Sequence, residues 1–102
     1  MTRDLRILAE AEAELGDAAE WYEARREGLG SQLLATVDEA LCQIRDSPEA
    51  FPIWKHGFPY RKLALRRFPF LIFYILSETT IDITAIAHAK RDAGYWVGRR
   101  RT

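Results

Sequence analysis

The sequence predicts an α+β fold in which a short N-terminal strand and an antiparallel helical hairpin pack on an antiparallel sheet, in the order β-α-α-β-β-β. Two observations carry this expectation. Apolar residues recur at helical spacing up to about Asp46 and at a spacing of two beyond Phe51. Gly28-Leu29-Gly30 and Pro48 stand where one periodic stretch gives way to the next. With 102 residues, 48% of them apolar and 29% charged, the chain has material for one globular domain over residues 1–102. That composition excludes a disordered or fibrous class.

The elements follow in order. Asp4 to Leu8 reads as a short edge strand, with Leu5 and Ile7 alternating against Arg6. Ala11, Leu15, Ala18 and Tyr22 then recur every three or four residues, with Glu10, Glu14, Asp17 and Glu20 on the polar arc, which predicts an amphipathic helix. The glycines at 28 and 30 stop it. A second helix carries Leu34, Val37, Leu41 and Ile44 and ends near Pro48, since proline cannot extend the hydrogen-bond ladder.

Phe51 to Pro59, rich in proline and aromatics, reads as a linker. Three strands follow, over Tyr60 to Arg67, Leu71 to Leu76 and Ile81 to His88, the last two joined by a turn at Ser77 to Thr80. In the last strand, alternation puts Ile81, Ile83, Ala85 and Ala87 on one face. Leu15, Tyr22, Leu34, Val37, Leu41 and Ile44 are expected to pack against Phe73, Ile81 and Ile83. The middle strand is apolar on both faces, so its second face needs a cover, from Tyr95 and Trp96 in a short helical or irregular tail and from a partner protein. Arg99-Arg100-Arg101 reads as a frayed basic end.

Several function classes are excluded or weakened by composition. No basic segment followed by an apolar run opens the chain and no apolar stretch approaches the roughly 20 residues of a membrane span, so a cytoplasmic protein without a membrane partner is expected. Cys42 is the only cysteine and reads as core filler, and Cys/His metal spacing is absent, so neither a metal nor another cofactor is expected. The formal net charge of zero hides a split. Residues 1–50 carry twelve acids against five bases, and residues 51–102 carry ten bases against three acids, a balance of −7 and +7. The C-terminal half is therefore a candidate anion-binding surface.

Read together, Glu14-Leu15 through Ala19-Glu20-Trp21-Tyr22-Glu23, Gly28-Leu29-Gly30, Val37 with Ala40-Leu41 and Ile44, Pro48 with Phe51-Pro52, Arg66-Arg67-Phe68-Pro69-Phe70, and Ile86-Ala87-His88 leading to Arg91-Asp92 and Tyr95-Trp96 resemble the RelE/ParE family of small toxins, and its ParE branch more closely. The resemblance implies a toxin of a bacterial type II toxin–antitoxin module, neutralised by a cognate antitoxin and reaching operator DNA only through it. It implies one of two targets: DNA gyrase for ParE-like members, or mRNA on the ribosome for RelE-like endonucleases. A family member that binds an antitoxin without being toxic is a third reading.

Metal-free RNA cleavage requires a base for the 2′-hydroxyl proton, cations for the phosphate and an acid for the leaving oxygen. His88 and Tyr95 are the candidates for proton transfer, and Arg67 and Arg91 for charge stabilisation. Arg61, Lys62, Arg66, Arg67, Lys90 and Trp96 are candidate contacts to target or antitoxin; if the first and last strands of the meander are neighbours, Arg61, Lys62, Arg66 and Arg67 are expected to converge with His88, Lys90, Arg91 and Tyr95 at one end of the sheet. Each has a structural alternative: His88 as a hydrogen-bonded strand end, Tyr95-Trp96 as a packing pair, Arg66-Arg67 as solvated turn residues.

Overall fold

Strand β1 (Asp4–Ile7) leads into helices α1 (Ala9–Arg25) and α2 (Leu29–Asp46), followed by strands β2 (Tyr60–Ala64), β3 (Phe70–Leu76) and β4 (Thr80–His88), in a computed structural model that describes residues 3–100. The sheet order is β1-β4-β3-β2. The meander β2-β3-β4 is antiparallel, as its short turns demand, while β1 adds to β4 in parallel, Leu5 opposite Ile81 and Ile7 opposite Ile83. The α+β prediction holds, and the parallel edge strand is a feature that local periodicity does not encode.

The helical hairpin turns tightly because two glycines permit it. Gly28 precedes α2 at φ 87°, in the left-handed region. Gly30 sits where α2 crosses α1: a Cβ there would lie 2.5 Å from the Ala19 carbonyl oxygen. Glu23 of α1 supplies the cap that α2 lacks locally, its carboxylate accepting from the amides of Gly28 (2.9 Å) and Gly30 (3.0 Å) at the positive end of the helix dipole.

Helices cover one sheet face only. The core between them contains Ala11, Leu33, Val37, Leu41 and Ile44 from the helices and Leu63, Ile72, Tyr74, Ile81, Ile83 and Ile86 from the strands. Tyr22 joins it through edge-on contact with Phe68 at 5.0 Å. Val37, Leu41 and Ile44 face the core as expected, but the first leucine of the stripe is the fully buried Leu33 and not Leu34, which is 42% exposed. Cys42 is also exposed, and so fills no core.

The face assigned to Phe73 and to the second half of β4 is corrected as well. A bulge falls where Phe73 pairs with Ala85 but Tyr74 pairs with Ile83, leaving Thr84 as the extra residue. Alternation inverts there. Ile81, Ile83 and Ile86 face the helices, while Ala85 and Ala87 join Phe73 on the opposite face. The buried Thr84 hydroxyl donates to the Phe73 carbonyl at 3.2 Å, a polar contact within the interrupted ladder.

That opposite face is partly covered from within the chain. Trp96, 1% exposed, stacks on Phe73 with ring centroids 3.8 Å apart, and Trp54 packs edge-on against Trp96 at 5.2 Å. The 51–59 segment is thus part of the fold rather than a linker: Trp54 donates to the Tyr60 carbonyl, Lys62 to that of Pro52, and Ile53 bridges Arg61 along the outer edge of β2. No helix among the described residues is long and apolar enough to cross a membrane.

Candidate functional site

The polar chemistry of the molecule concentrates where β4 outruns β1. The parallel ladder ends with the Leu8 amide donating to the Ile83 carbonyl, because the chain then turns into α1. Beyond that point the edge of β4 presents the Thr84 carbonyl and the Ile86 amide, which need partners once water is excluded. Glu14 of α1 accepts from the Ile86 amide at 3.0 Å, and Arg99 donates to the Thr84 carbonyl at 3.0 Å. The two side chains then pair with each other through contacts of 3.1 and 3.2 Å, at side-chain exposures of 15% and 17%.

Tyr95 completes this lock. Its hydroxyl donates to the second Glu14 oxygen at 2.5 Å, and its ring lies between the guanidinium of Arg91, 3.8 Å from the ring centroid, and that of Arg99 at 5.0 Å. Burial, the hydrogen bond to Glu14 and the Glu14 charge push the Tyr95 phenol up to about 12, against the opposing pull of Arg91 and Arg99. Arg91 also approaches Glu14, at 3.8 Å and with its own side chain mostly exposed. The basic end is therefore not frayed as far as Arg99, while Arg101 lies outside the described residues.

The first and last strands of the meander are not neighbours, since β3 separates β2 from β4, and the basic residues come together only in part. Lys62, His88 and Arg91 line one cleft of about 100 Å³ on the sheet face away from the helices, walled by Trp54, Phe73 and Trp96. Arg66 and Arg67 lie elsewhere, in the β2–β3 turn, where with Gln32, Thr36 and Glu39 of α2 they border an open groove of about 490 Å³. Arg67 holds φ 71°, a conformation a turn imposes on a side chain that rarely adopts it.

Arg61 is a brace, donating to the carbonyls of Glu49 (3.2 Å) and Phe51 (2.7 Å). Lys90 is exposed, and its amide donates to His88 Nδ1 at 3.0 Å. The His88 ring packs edge-on against Phe70 at 5.2 Å. Trp96, expected as a contact to a target or antitoxin, is buried against Phe73 and is unable to serve as an exposed anchor.

Sequence reasoning missed Glu14 and Trp54. Glu14 sits on the polar arc of α1 and looks like any solvated acid, since its partners are more than 70 residues away. No group of three or more His, Cys, Asp or Glu among the described residues is placed to share a metal ion.

A β-α-α-β-β-β chain with a tail folded over the second sheet face has clear relatives. The sequence profile described as "ParE toxin of type II toxin-antitoxin system, parDE" matches residues 5–93. The chain belongs to the ParE toxin family. It is 33% identical over 90 residues to Toxin ParE2 of Mycobacterium tuberculosis, covering 86% of this chain and 83% of that one, in both strains CDC 1551 / Oshkosh and H37Rv. A chain of the chromosomal ParDE toxin–antitoxin system from P. aeruginosa superposes with a TM-score of 0.67 at 18% identity, over 87% of this chain and 98% of that one, a likeness of fold. As a ParE family member the chain falls on the side of the resemblance that the sequence favoured.

Proposed function

We propose that this ParE family protein is a cytoplasmic toxin that acts by binding proteins and not by cutting RNA: a cognate antitoxin holds it inactive and carries it to operator DNA, and free toxin stops growth by poisoning DNA gyrase. The observation that carries this reading is the commitment of Tyr95. A phenol bound to Glu14 and raised to about 12 is neither a base nor an efficient acid near neutral pH. His88 is engaged likewise, Nδ1 by the Lys90 amide and the ring by Phe70. With the Tyr95 hydroxyl and one His88 nitrogen already engaged, these groups suit a binding surface, which needs only exposed cations and aromatics, better than paired acid–base work on RNA.

The test is to express the chain with and without its antitoxin and to follow bulk translation alongside chromosome integrity and plasmid supercoiling. Gyrase poisoning gives broken chromosomes and altered supercoiling with cellular mRNA intact, and the antitoxin suppresses both. Translation arrest with cleaved mRNA and intact DNA would overturn the proposal.

A further inference from the structure

The cleft shared by Lys62 and Arg91 has an unusual chemical character: its polar side chains offer donors only. Lys62 and Arg91 are cations, the indoles of Trp54 and Trp96 are able only to donate, and His88, whose Nδ1 already accepts from Lys90, has only an N–H left to give. No acidic side chain lines it. The Trp96 indole N–H finds no acceptor among the described residues, and the Lys62 ammonium makes no ion pair there. Buried donors without acceptors are costly, so such a cleft favours a ligand that brings acceptors and negative charge.

Size and walls narrow the ligand. At about 100 Å³ the cleft is well below the roughly 300–1,000 Å³ of sites that enclose whole small molecules. The space encloses a carboxylate on a short stem and does not enclose a whole nucleotide. Phe73, Leu71, Ala87 and Ala93 give it apolar walls, which match the methylenes of an acidic side chain better than a sugar.

We propose that this cleft receives the carboxylate of an Asp or Glu side chain presented by a protein partner, with Lys62 and Arg91 as the charged contacts and the aromatic walls enclosing the stem. The proposal rests on the reading of the chain as a protein-binding toxin, and adds the chemistry of the partner's contact. The +7 balance of the half of the chain that builds the cleft steers an acidic segment towards it.

The test uses the full chain and three probes: the capped tripeptide acetyl-Leu-Glu-Leu-amide, its Gln counterpart and a short single-stranded RNA, each titrated while the Trp96 indole N–H resonance is followed by NMR. The Glu peptide is expected to shift that resonance with an affinity at least about tenfold above that of the Gln peptide, the value of one charge-assisted contact. Lys62→Met should remove about that factor. Lys62→Gln serves the same comparison should the first variant fold poorly. Equal binding of the Glu and Gln peptides, with chromosome breakage intact in cells, would overturn the cleft proposal alone. RNA binding tighter than the Glu peptide, accompanied by translation arrest, would overturn both the cleft and the protein-binding reading.

Discussion

Glu14 and Tyr95 show how one residue's role depends on partners far along the chain. The spacing of α1 places Glu14 correctly on a polar arc, but only the end of β1 and the return of the tail turn that position into a junction of strand edge, phenol and guanidinium. Tyr95 was visible in the sequence both as a proton-transfer candidate and as half of a packing pair, but a sequence does not reveal that a carboxylate accepts from its hydroxyl. The consequence is testable in alkali. A phenol raised from 10.0 to about 12 contributes stability that is fully present below pH 10 and is lost as pH rises through about 12. Denaturant midpoints should therefore fall across that window, and Tyr95→Phe should flatten the fall. Some slope should remain, since burial also raises Tyr74, with Arg61 opposing. An unchanged alkaline profile in Tyr95→Phe would remove the phenol from the lock.

Elements were legible where periodicity alone decides them, and blurred where contact between elements decides. All six elements were expected in the right order, yet the burial phase of α2 was read through Leu34 when Leu33 faces the core, since both leucines fit a helical stripe with Val37. Leu33→Ala should cost about 2–5 kcal/mol by creating a cavity, and Leu34→Ala should stay within about 0.5 kcal/mol, as read from urea unfolding. The bulge in β4 is a similar case, because a period of two continues through Thr84 in the sequence while the backbone steps out of register. The two helical glycines separate propensity from packing. Gly16 has nothing within 4 Å of an added Cβ, so Gly16→Ala should stabilise by about 0.5–1 kcal/mol. Gly30→Ala forces apart two backbones and displaces the Glu23 cap, and the overpacking should cost about 1–3 kcal/mol despite the better helix former. Equal thermal shifts in the two variants would mean that α1 and α2 do not cross at Gly30.

For the whole molecule, the same fold is consistent with either of the two activities the resemblance allows, so the decision rests on which groups remain available. The charge split was legible from the sequence, and so was the need to cover the second sheet face; the tail and Trp54 together meet part of that need, which removes Trp96 from the exposed surface and leaves Lys62 and Arg91 beside a small cleft. The separation of Arg66-Arg67 from that cleft was not legible, because it depends on β3 lying between β2 and β4. Tyr95→Phe tests the activity at this scale. It retains the ring between Arg91 and Arg99 and deletes only the hydroxyl, so a nuclease relying on that hydroxyl would lose a contribution of about 10²–10⁴-fold in rate, while a protein-binding toxin would lose only the stability of one hydrogen bond. The measurement is growth arrest on induction at matched levels of folded protein, with chromosome breaks and mRNA integrity scored in the same culture. The expected outcome is arrest as strong as with the parent chain, broken chromosomes and intact mRNA. Disappearance of arrest in a variant whose circular dichroism and antitoxin binding match the parent would return Tyr95 to catalysis and place this ParE family member among the ribonucleases.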